Sequence, residues 1–364
     1  MLTYCALPVS RDLQPLCISS AWRARQRITL AVLLLTFSTP TLFAQNHDKK
    51  FTILSFDVPH ATLTNPTSIN SHGVIVGYYS AGKASGGFVR NPDGKITTFQ
   101  VPGSDVVSPS SINSAGTITG TIGGPGNLTE GFVRHRDGTI TRFGVVGSND
   151  TEPASISDDG TIAGTYYFAN GFGNGFVRTP DGAIHTFDLP DSLGTWVSFI
   201  NAKDEAIGYY APQPGLSQPG FVRDSDGKVT TFNPPQSVLA YPTGINTSGE
   251  ITGNFAAGMG QSPVYGFVRA RSGKITAYHC AGAVGTFPAG INDSSVTTGS
   301  CLSISGTHGF IRTRDGEMTI FDPHGSTSTN PTAINGRGTI TGSYYDSAGV
   351  RQHGFVLQLH HERD

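Results

Sequence analysis

The most constraining feature of the sequence is a peptide of the form Gly-Phe-Val-Arg, or a close variant, that returns seven times along the chain. Its phenylalanines lie 43 to 46 residues apart, at Phe88, Phe132, Phe176, Phe221, Phe267, Phe310 and Phe355. Other landmarks keep the same step, including an Ile-Asn pair and a Thr-Phe-x-x-Pro stretch. Such a period indicates a repeat architecture, because one unit alone cannot bury its apolar face and must pack it against its neighbours.

Each unit of about 44 residues predicts four short β-strands. The strands read Pro-x-Ser-Ile-Asn, Gly-x-Ile-x-Gly-x-Tyr, Gly-Phe-Val-Arg and Ile-Thr-Thr-Phe. An Asn-x-x-Gly turn joins the first two strands, and an Asp-Gly turn joins the last two. The composition agrees, because the chain has 47 Gly and only 14% charged residues, while β-branched and aromatic residues are frequent. We therefore predict an all-β fold, a seven-bladed β-propeller of four-stranded blades.

The two ends of the repeat array favour a closed ring. The array begins with a fourth strand, FTILSFDVP, and ends with a third strand, GFVLQLH. The N-terminal strand can therefore complete the last blade, which would leave no exposed sheet edge at either end. An open solenoid is the alternative, and it should carry distinct caps.

Residues 1–44 have the pattern of a signal peptide. Arg23, Arg25 and Arg27 precede the apolar run ITLAVLLLTF, and we predict cleavage after Ala44. A membrane anchor is the alternative, but the run has only about half of the ~20 residues that span a bilayer. We expect a secreted or periplasmic protein with its propeller at residues 45–360, a tail at 361–364 and no membrane span in the mature chain.

Charge and motif searches exclude several classes of function. Removing residues 1–44 takes away four Arg and one Asp, which leaves 20 basic and 25 acidic residues and a formal charge of −5. The mature chain therefore offers no basic patch for nucleic acid. It also lacks Gly-x-Ser-x-Gly, His-Glu-x-x-His, Cys-x-x-Cys and phosphate-loop motifs, so we assign no cofactor, no metal and no catalytic residue. We expect a monomer.

The repeat unit also resembles a known family. Its pattern Ile-Asn-x-x-Gly-x-Ile-x-Gly-x-Tyr followed by His-Gly-Phe is similar to the bacterial HAF family of extracellular repeats, named for a His-Ala-Phe tripeptide. The tripeptides that begin at His308 and His353 come nearest to that motif, and the other copies have another residue in place of His. The resemblance covers the mature chain and implies an exported repeat protein. It implies no catalytic residues.

The candidate ligand residues come from positions at which the copies disagree. The long, variable connections lie on one face of the predicted ring, and folds place binding surfaces on such loops. Near the channel mouth on that face, the residue four before each Ile of the Ile-Asn pair reads Asn65, Ser108, Glu152, Trp196, Tyr241, Phe287 and Asn330. We predict that an aromatic arc of Trp196, Tyr241 and Phe287 faces a polar arc that includes the remaining candidates. In the alternative, these rings pack down as loop anchors.

Two pairs of residues have interpretations that the sequence leaves open. His308 and His353 occupy equivalent places in adjacent units, where structural imidazoles bonded to a loop are favoured over a metal or acid–base pair. Cys280 and Cys301 replace core residues and form either a disulfide, which export permits, or two buried thiols.

Three functions fit these observations. The first is a binding module for a glycan or protein ligand on the long-loop face, at Trp196, Tyr241, Phe287, Asn65, Glu152 and Asn330. The second is a polysaccharide lyase or hydrolase, which needs titratable side chains that converge at the channel mouth. The third is a structural cell-surface repeat protein, which needs no pocket and no ligand.

Overall fold

A computed structural model describes residues 51–360, except 83, 124–127, 170, 213–216, 257 and 259–262. The predicted signal peptide and the tail at 361–364 lie outside the described residues. The described chain forms 28 β-strands and no α-helix, so the all-β prediction is confirmed. Within the same residues, no helix has the length and apolarity to cross a membrane.

The strands are numbered in chain order. The first five are β1 (Phe51–Phe56), β2 (Leu63–Ile69), β3 (Ile75–Ala81), β4 (Ala84–Arg90) and β5 (Ile96–Phe99). The next eight are β6 (Val107–Ile112), β7 (Ile118–Gly123), β8 (Thr129–Arg134), β9 (Ile140–Phe143), β10 (Asp150–Ile156), β11 (Ile162–Tyr167), β12 (Gly173–Arg178) and β13 (Ile184–Phe187). They are followed by β14 (Ser192–Ile200), β15 (Ala206–Pro212), β16 (Gly220–Arg223), β17 (Val229–Phe232), β18 (Leu239–Ile245), β19 (Ile251–Ala256), β20 (Val264–Arg269) and β21 (Ile275–Tyr278). The last seven are β22 (Gly285–Ile291), β23 (Thr297–Ser303), β24 (Gly306–Arg312), β25 (Met318–Phe321), β26 (Ser328–Ile334), β27 (Ile340–Tyr345) and β28 (Gln352–Leu359).

Consecutive strands pair antiparallel in groups of four, which we call sets. Sets 1 to 6 take β2–β5, β6–β9, β10–β13, β14–β17, β18–β21 and β22–β25 in chain order. Set 7 consists of β26, β27, β28 and β1, because β1 pairs with β28 along its whole length, from Phe51↔Leu359 to Phe56↔Gly354. The first and last described strands therefore share one sheet.

Tight turns and longer connections lie at opposite ends of the sets. In set 1 the first turn closes through a hydrogen bond from the Gly73 amide to the Asn70 carbonyl, and Gly73 has a φ of 80°. The Asn70 side chain also accepts a hydrogen bond from the Val74 amide. Because antiparallel strands alternate in direction, the connections from the second strand to the third, and from one set to the next, lie at the other end.

The repeated Gly-Phe-Val-Arg peptide packs each set against the preceding one. The Phe132 ring of set 2 is fully buried and meets Phe99 of set 1 edge-on, with centroids 6.2 Å apart. The Arg134 guanidinium lies 4.8 Å above the same Phe99 ring. A Cβ on Gly131 would come within 2.6 Å of the ring of Phe143 in its own set, so the space needs glycine. All seven repeated phenylalanines are fully buried in this way.

Sets 7 and 1 interlock by the same contacts. Phe56 of β1 meets Phe88 edge-on at 6.1 Å, and the Arg90 guanidinium lies 4.8 Å above its ring. A Cβ on Gly354 would come within 2.6 Å of Phe56. Phe56 therefore takes the place in set 7 that a fourth-strand aromatic residue takes in the other sets.

Asparagine side chains tie the first strand of each set to the next. At the tight-turn end, the side-chain Nδ2 atoms of Asn70, Asn113, Asn201, Asn246, Asn292 and Asn335 donate to main-chain carbonyls of the following set. The last of these bonds runs from Asn335 of set 7 to the Asn70 carbonyl of set 1, at 3.0 Å. Set 3 has Ser157 at this place, and its hydroxyl bonds within its own turn to Asp159.

The cysteine pair of set 6 is a disulfide in the structure. Cys280 and Cys301 are joined, with their Cα atoms 6.0 Å apart, and both are buried against Phe310. In set 2 the equivalent places hold Val101 and Ile122, which belong to one hydrophobic cluster. The disulfide therefore replaces an apolar contact of the repeat.

Candidate functional site

Two small cavities, of about 190 Å³ and 200 Å³, lie among the first strands of the seven sets. The walls come from the first strands and their turns, and consist mainly of Ser, Thr, Asn, Ile and small residues. None of the six predicted ligand residues lines either cavity. They lie further along the first strands, toward the ends that carry the longer connections.

Trp196 and Tyr241 are joined into one surface by Tyr209, which the sequence did not single out. Trp196 pairs across strands β14 and β15 with Tyr209, and the two rings stack with centroids 5.2 Å apart and planes 19° apart. Tyr241 of set 5 meets Tyr209 edge-on, with centroids 4.9 Å apart. All three side chains are half-buried. Tyr209 therefore carries the aromatic contact across the boundary between sets 4 and 5.

Glu152 reaches the same surface through Tyr167. The Tyr167 ring lies beside Trp196, because a Cβ on Gly173 would come within 2.9 Å of both the Tyr167 ring and the Trp196 Nε1 atom, and Tyr167 interacts electrostatically with Glu152. A tyrosine hydroxyl can donate to a carboxylate and accept from an indole N–H, because an ionised carboxylate only accepts and an indole only donates. Desolvation, followed by the charge of Asp150, raises the pKa of Glu152, although Glu152 is an exposed residue of β10 and its desolvation is therefore partial.

The tyrosine hydroxyls of this surface are neutral hydrogen-bonding groups. Burial, with a smaller effect of Tyr241, raises the pKa of Tyr209 to about 12. Burial also raises the pKa of Tyr241. The Tyr241 hydroxyl donates to Gln218 Oε1 at 2.7 Å. The rings therefore present polar groups at their edges.

We call this group the aromatic surface, and it spans sets 3, 4 and 5. Its members are Glu152, Tyr167, Trp196, Tyr209, Gln218 and Tyr241. The indole of Trp196 is held firmly, because a Cβ on Gly173 would lie 2.9 Å from its Nε1 and one on Gly194 would lie 2.7 Å from its ring. The rings are thus anchored by packing, as the alternative interpretation expected, and they still keep accessible area.

The remaining predicted residues do not belong to this surface. Among the described residues, no ring contact joins Phe287 to it. Asn65 accepts a hydrogen bond from Gln352 at 2.9 Å, and the same amide donates to Ser343 at 2.7 Å. Asn330 donates to Ser328 at 3.1 Å. Asn65 and Asn330 therefore lie in a separate polar region of sets 7 and 1.

Tyr209, which the sequence analysis did not single out, also lies at a position that varies between the copies. The residue after the central glycine of the second strand also varies between copies, and it reads Tyr78, Thr121, Thr165, Tyr209, Asn254, Ser300 and Ser343. This position is the cross-strand partner of the candidate position in the first strand, as Trp196↔Tyr209 shows. Comparing the copies at both positions would have found Tyr209.

His308 and His353 each bond a carboxylate within their own set. His308 Nδ1 lies 2.7 Å from Asp322, and His353 Nδ1 lies 2.9 Å from Asp57. These contacts are those of structural imidazoles that fix the loops after the fourth strands. No group of three or more His, Cys, Asp or Glu that could hold a metal ion occurs in the part of the chain that the structure describes.

In set 6, Ser305, His308 and Asp322 contact one another in the order of a Ser-His-Asp hydrolytic triad. The Ser305 hydroxyl lies 3.3 Å from His308 Nε2, opposite Asp322. However, the Ser305 amide is already bonded to the Ser303 hydroxyl, so it is not free to stabilise an oxyanion. The same His–Asp pair recurs in set 7, where it bonds no serine among the described residues, and the repeat therefore accounts for it.

Comparison with solved structures identifies the fold. A catalytically inactive variant of virginiamycin B lyase from Staphylococcus aureus, solved with quinupristin, has 18% identity and a TM-score of 0.58, over 85% of this chain and 100% of the lyase. A streptogramin B lyase has 17% identity and a TM-score of 0.57, over 85% and 98%. The β-propeller domain of the trilobed protease from Pyrococcus furiosus has 10% identity and a TM-score of 0.62, over 84% and 96%. At such identities the likeness establishes a β-propeller fold and no activity.

No family model and no curated protein matches the chain. The resemblance to HAF repeats therefore stays a prediction.

Proposed function

We propose that the chain is an exported, closed propeller of seven blades and that it acts as a glycan-binding module. Each of the sets described above corresponds to one blade. Closure is supported by the pairing of β1 with β28 and by the Asn335 to Asn70 bond between the last and first sets. Export is supported by the sequence pattern of residues 1–44 and by the disulfide.

The aromatic surface is the observation that carries the binding function. Sugars combine an apolar face of C–H groups with a rim of hydroxyls, so they suit rings whose edges carry donors and acceptors. Trp196, Tyr209 and Tyr241 supply the rings, and Tyr167, Glu152 and Gln218 supply polar groups beside them. The firm packing of Trp196 reduces the conformational entropy that binding would cost.

Trp196 provides the measurement, because the mature chain has no other tryptophan. Titration with oligosaccharides should change its fluorescence, and Tyr209→Ala should weaken binding about 5-fold or more, since a ring at a binding site contributes about 1 kcal/mol or more. Ile304→Ser is the matched control, because Ile304 is fully exposed in set 6, away from the aromatic surface. If Tyr209→Ala and the control bind alike, the ligand does not use this surface.

One observation keeps the enzyme alternative open. A glutamate whose pKa is raised, with a second carboxylate nearby, suits general acid catalysis on glycosidic bonds, and Glu152 and Asp150 have these properties. Incubation with bound oligosaccharides and assay of new reducing ends distinguishes the two functions. A binding module leaves the sugars intact, whereas an enzyme cleaves them and loses that activity in Glu152→Gln.

A further inference from the structure

We infer that the glycan bound at the aromatic surface is cationic, with protonated amino groups as in oligosaccharides of glucosamine. This inference rests on the proposed glycan-binding function and names its substrate class.

Negative charge without a basic partner lies beside the rings. Asp150 and Glu152 both lie on β10 of set 3, and one Asp150 carboxylate oxygen is fixed by the Thr129 amide at 2.8 Å. Among the described residues, neither carboxylate has a Lys or Arg partner, since the two Arg ion pairs lie elsewhere, at Glu130 and Glu205. The surface therefore carries negative charge that the protein itself does not neutralise.

The surroundings of Glu152 raise the free energy of its ionised form. Partial desolvation and the neighbouring Asp150 both disfavour its ionised form, and only the interaction with Tyr167 opposes them. An ammonium group close to Glu152 would favour the ionised carboxylate, because an opposite charge within about 4–6 Å stabilises it. A neutral sugar would leave this cost in place, and a uronic acid would add a third negative charge.

The aromatic rings also favour a cationic ligand. Tyrosine and tryptophan faces attract cations, with a contribution of about 0.5–2 kcal/mol that grows as the site is desolvated. Three half-buried rings of this kind, Trp196, Tyr209 and Tyr241, lie in one continuous contact. Tyr167 lies beside Trp196 and interacts electrostatically with the Glu152 carboxylate. Rings that stack against a sugar face, combined with a carboxylate for its amino group, favour an amino sugar over an extended cationic peptide.

The experiment compares two trisaccharides that differ only at nitrogen. The glucosamine trimer, at a mildly acidic pH at which its amines are protonated, is titrated beside the N-acetylglucosamine trimer, with Trp196 fluorescence and calorimetry as readouts. We expect the amino form to bind about 10-fold more tightly, which corresponds to one cation–π or charge contact. Added salt should reduce this advantage, because the contact is only partly buried.

The variant Glu152→Gln tests the role of the carboxylate. It should lose most of the preference for the amino trimer and keep its affinity for the N-acetyl trimer, while Glu317→Gln, at an exposed turn of set 6, should leave both affinities unchanged. Circular dichroism checks that both variants fold.

The outcomes separate the inference from the function on which it rests. If both trimers bind with equal affinity, the cationic preference is wrong and glycan binding stands. If neither trimer nor any neutral oligosaccharide binds, the proposed function fails as well. If trilysine binds as tightly as the amino trimer and competes with it, the surface recognises charge in a peptide, and the amino-sugar inference is overturned.

Discussion

At the scale of single residues, each Gly-Phe pair determines how aromatic rings pack within its own set and against the preceding set. Gly131 leaves room for the Phe143 ring of its own set, while Phe132 fills the space beside Phe99 of the preceding set. A side chain at the glycine position would push the aromatic ring out of a contact that it makes with two sets.

The variant Gly131→Ala tests this packing. The added methyl would meet Phe143 at 2.6 Å, so we expect the free energy of unfolding to fall by about 1–3 kcal/mol, which is typical of overpacked cores. Gly336→Ala is the control, because a Cβ there meets nothing within 4 Å. Urea unfolding of both variants gives the comparison, and equal losses would contradict the packing argument.

Glu152 predicts a pH dependence whose sign follows from its raised pKa. The folded protein holds the Glu152 proton more tightly than the unfolded chain does. Relative to Glu152→Gln, the wild type should therefore lose stability as the pH rises from the ordinary glutamate pKa to the raised one, and should change no further above it. Urea unfolding of the two proteins across this pH window measures the difference. A constant difference, or one of opposite sign, would show that burial does not act on this carboxyl.

At the scale of elements, the disulfide ties a loop that the other sets hold by packing alone. Cys280 and Cys301 are 21 residues apart, and a crosslink of this span is expected to contribute about 3 kcal/mol by restricting the unfolded chain. The double variant Cys280→Val with Cys301→Ile reproduces the Val101 and Ile122 pair of set 2. It should lose the contribution of the crosslink and keep the apolar contact.

A second double variant, with alanine at both positions, separates packing from crosslinking. It should be less stable than the Val and Ile variant by about 1–3 kcal/mol, because it also leaves a cavity beside Phe310. Chemical unfolding of the oxidised wild type and both variants provides the three values. Equal stability of the two variants would mean that the pocket collapses without cost.

The strands were predictable from the sequence because their signals are local and occur seven times. The turn between the first two strands, for example, needs only Asn70 and Gly73 within four residues. The candidate site was predictable only in part. Trp196 and Tyr241 stood out by comparison between copies, but their connection depends on Tyr209, which lies in a different strand, and on Tyr167 of another set. Such contacts depend on the register between strands and on packing between sets, which no single repeat specifies.

The separation of Phe287 from the aromatic surface has a similar cause. At the level of Trp196 and Tyr241, equivalent side chains of neighbouring sets are joined through a third residue that lies between them. This residue is Tyr209. At the corresponding place in set 5, Asn254 pairs across strands with Tyr241 and offers no ring that could continue the contact to Phe287.

At the scale of the whole molecule, the proposed closure makes a prediction about the first strand. If the ring is closed, Phe56 is an interior residue like Phe99, since each lies between a phenylalanine and an arginine of the following set. Phe56→Ala and Phe99→Ala should then each cost about 3–5 kcal/mol. Thermal and urea unfolding measure both. If Phe56→Ala has almost no effect while Phe99→Ala is severe, the first strand does not hold the ring.

Ser157 makes the contacts between neighbouring sets unequal. Where the other sets have an asparagine that reaches the next set, set 3 has Ser157, and the carboxyl groups of Asp159 and Asp204 lie close enough across sets 3 and 4 to affect each other's pKa. Burial raises the pKa of Asp204. Two ionised carboxylates repel each other, so we expect the contact between sets 3 and 4 to weaken as the pH rises through the raised pKa of Asp204.

If the ring is closed as proposed, we expect mechanical load to open it between sets 3 and 4 once Asp204 is ionised, because this boundary lacks the asparagine bond found at the others. The aromatic surface crosses the same boundary, because Tyr167 belongs to set 3 and Trp196 to set 4. A ligand that contacts both residues would therefore hold sets 3 and 4 together. The force needed to separate the two sets would then increase with the fraction of the protein that has ligand bound.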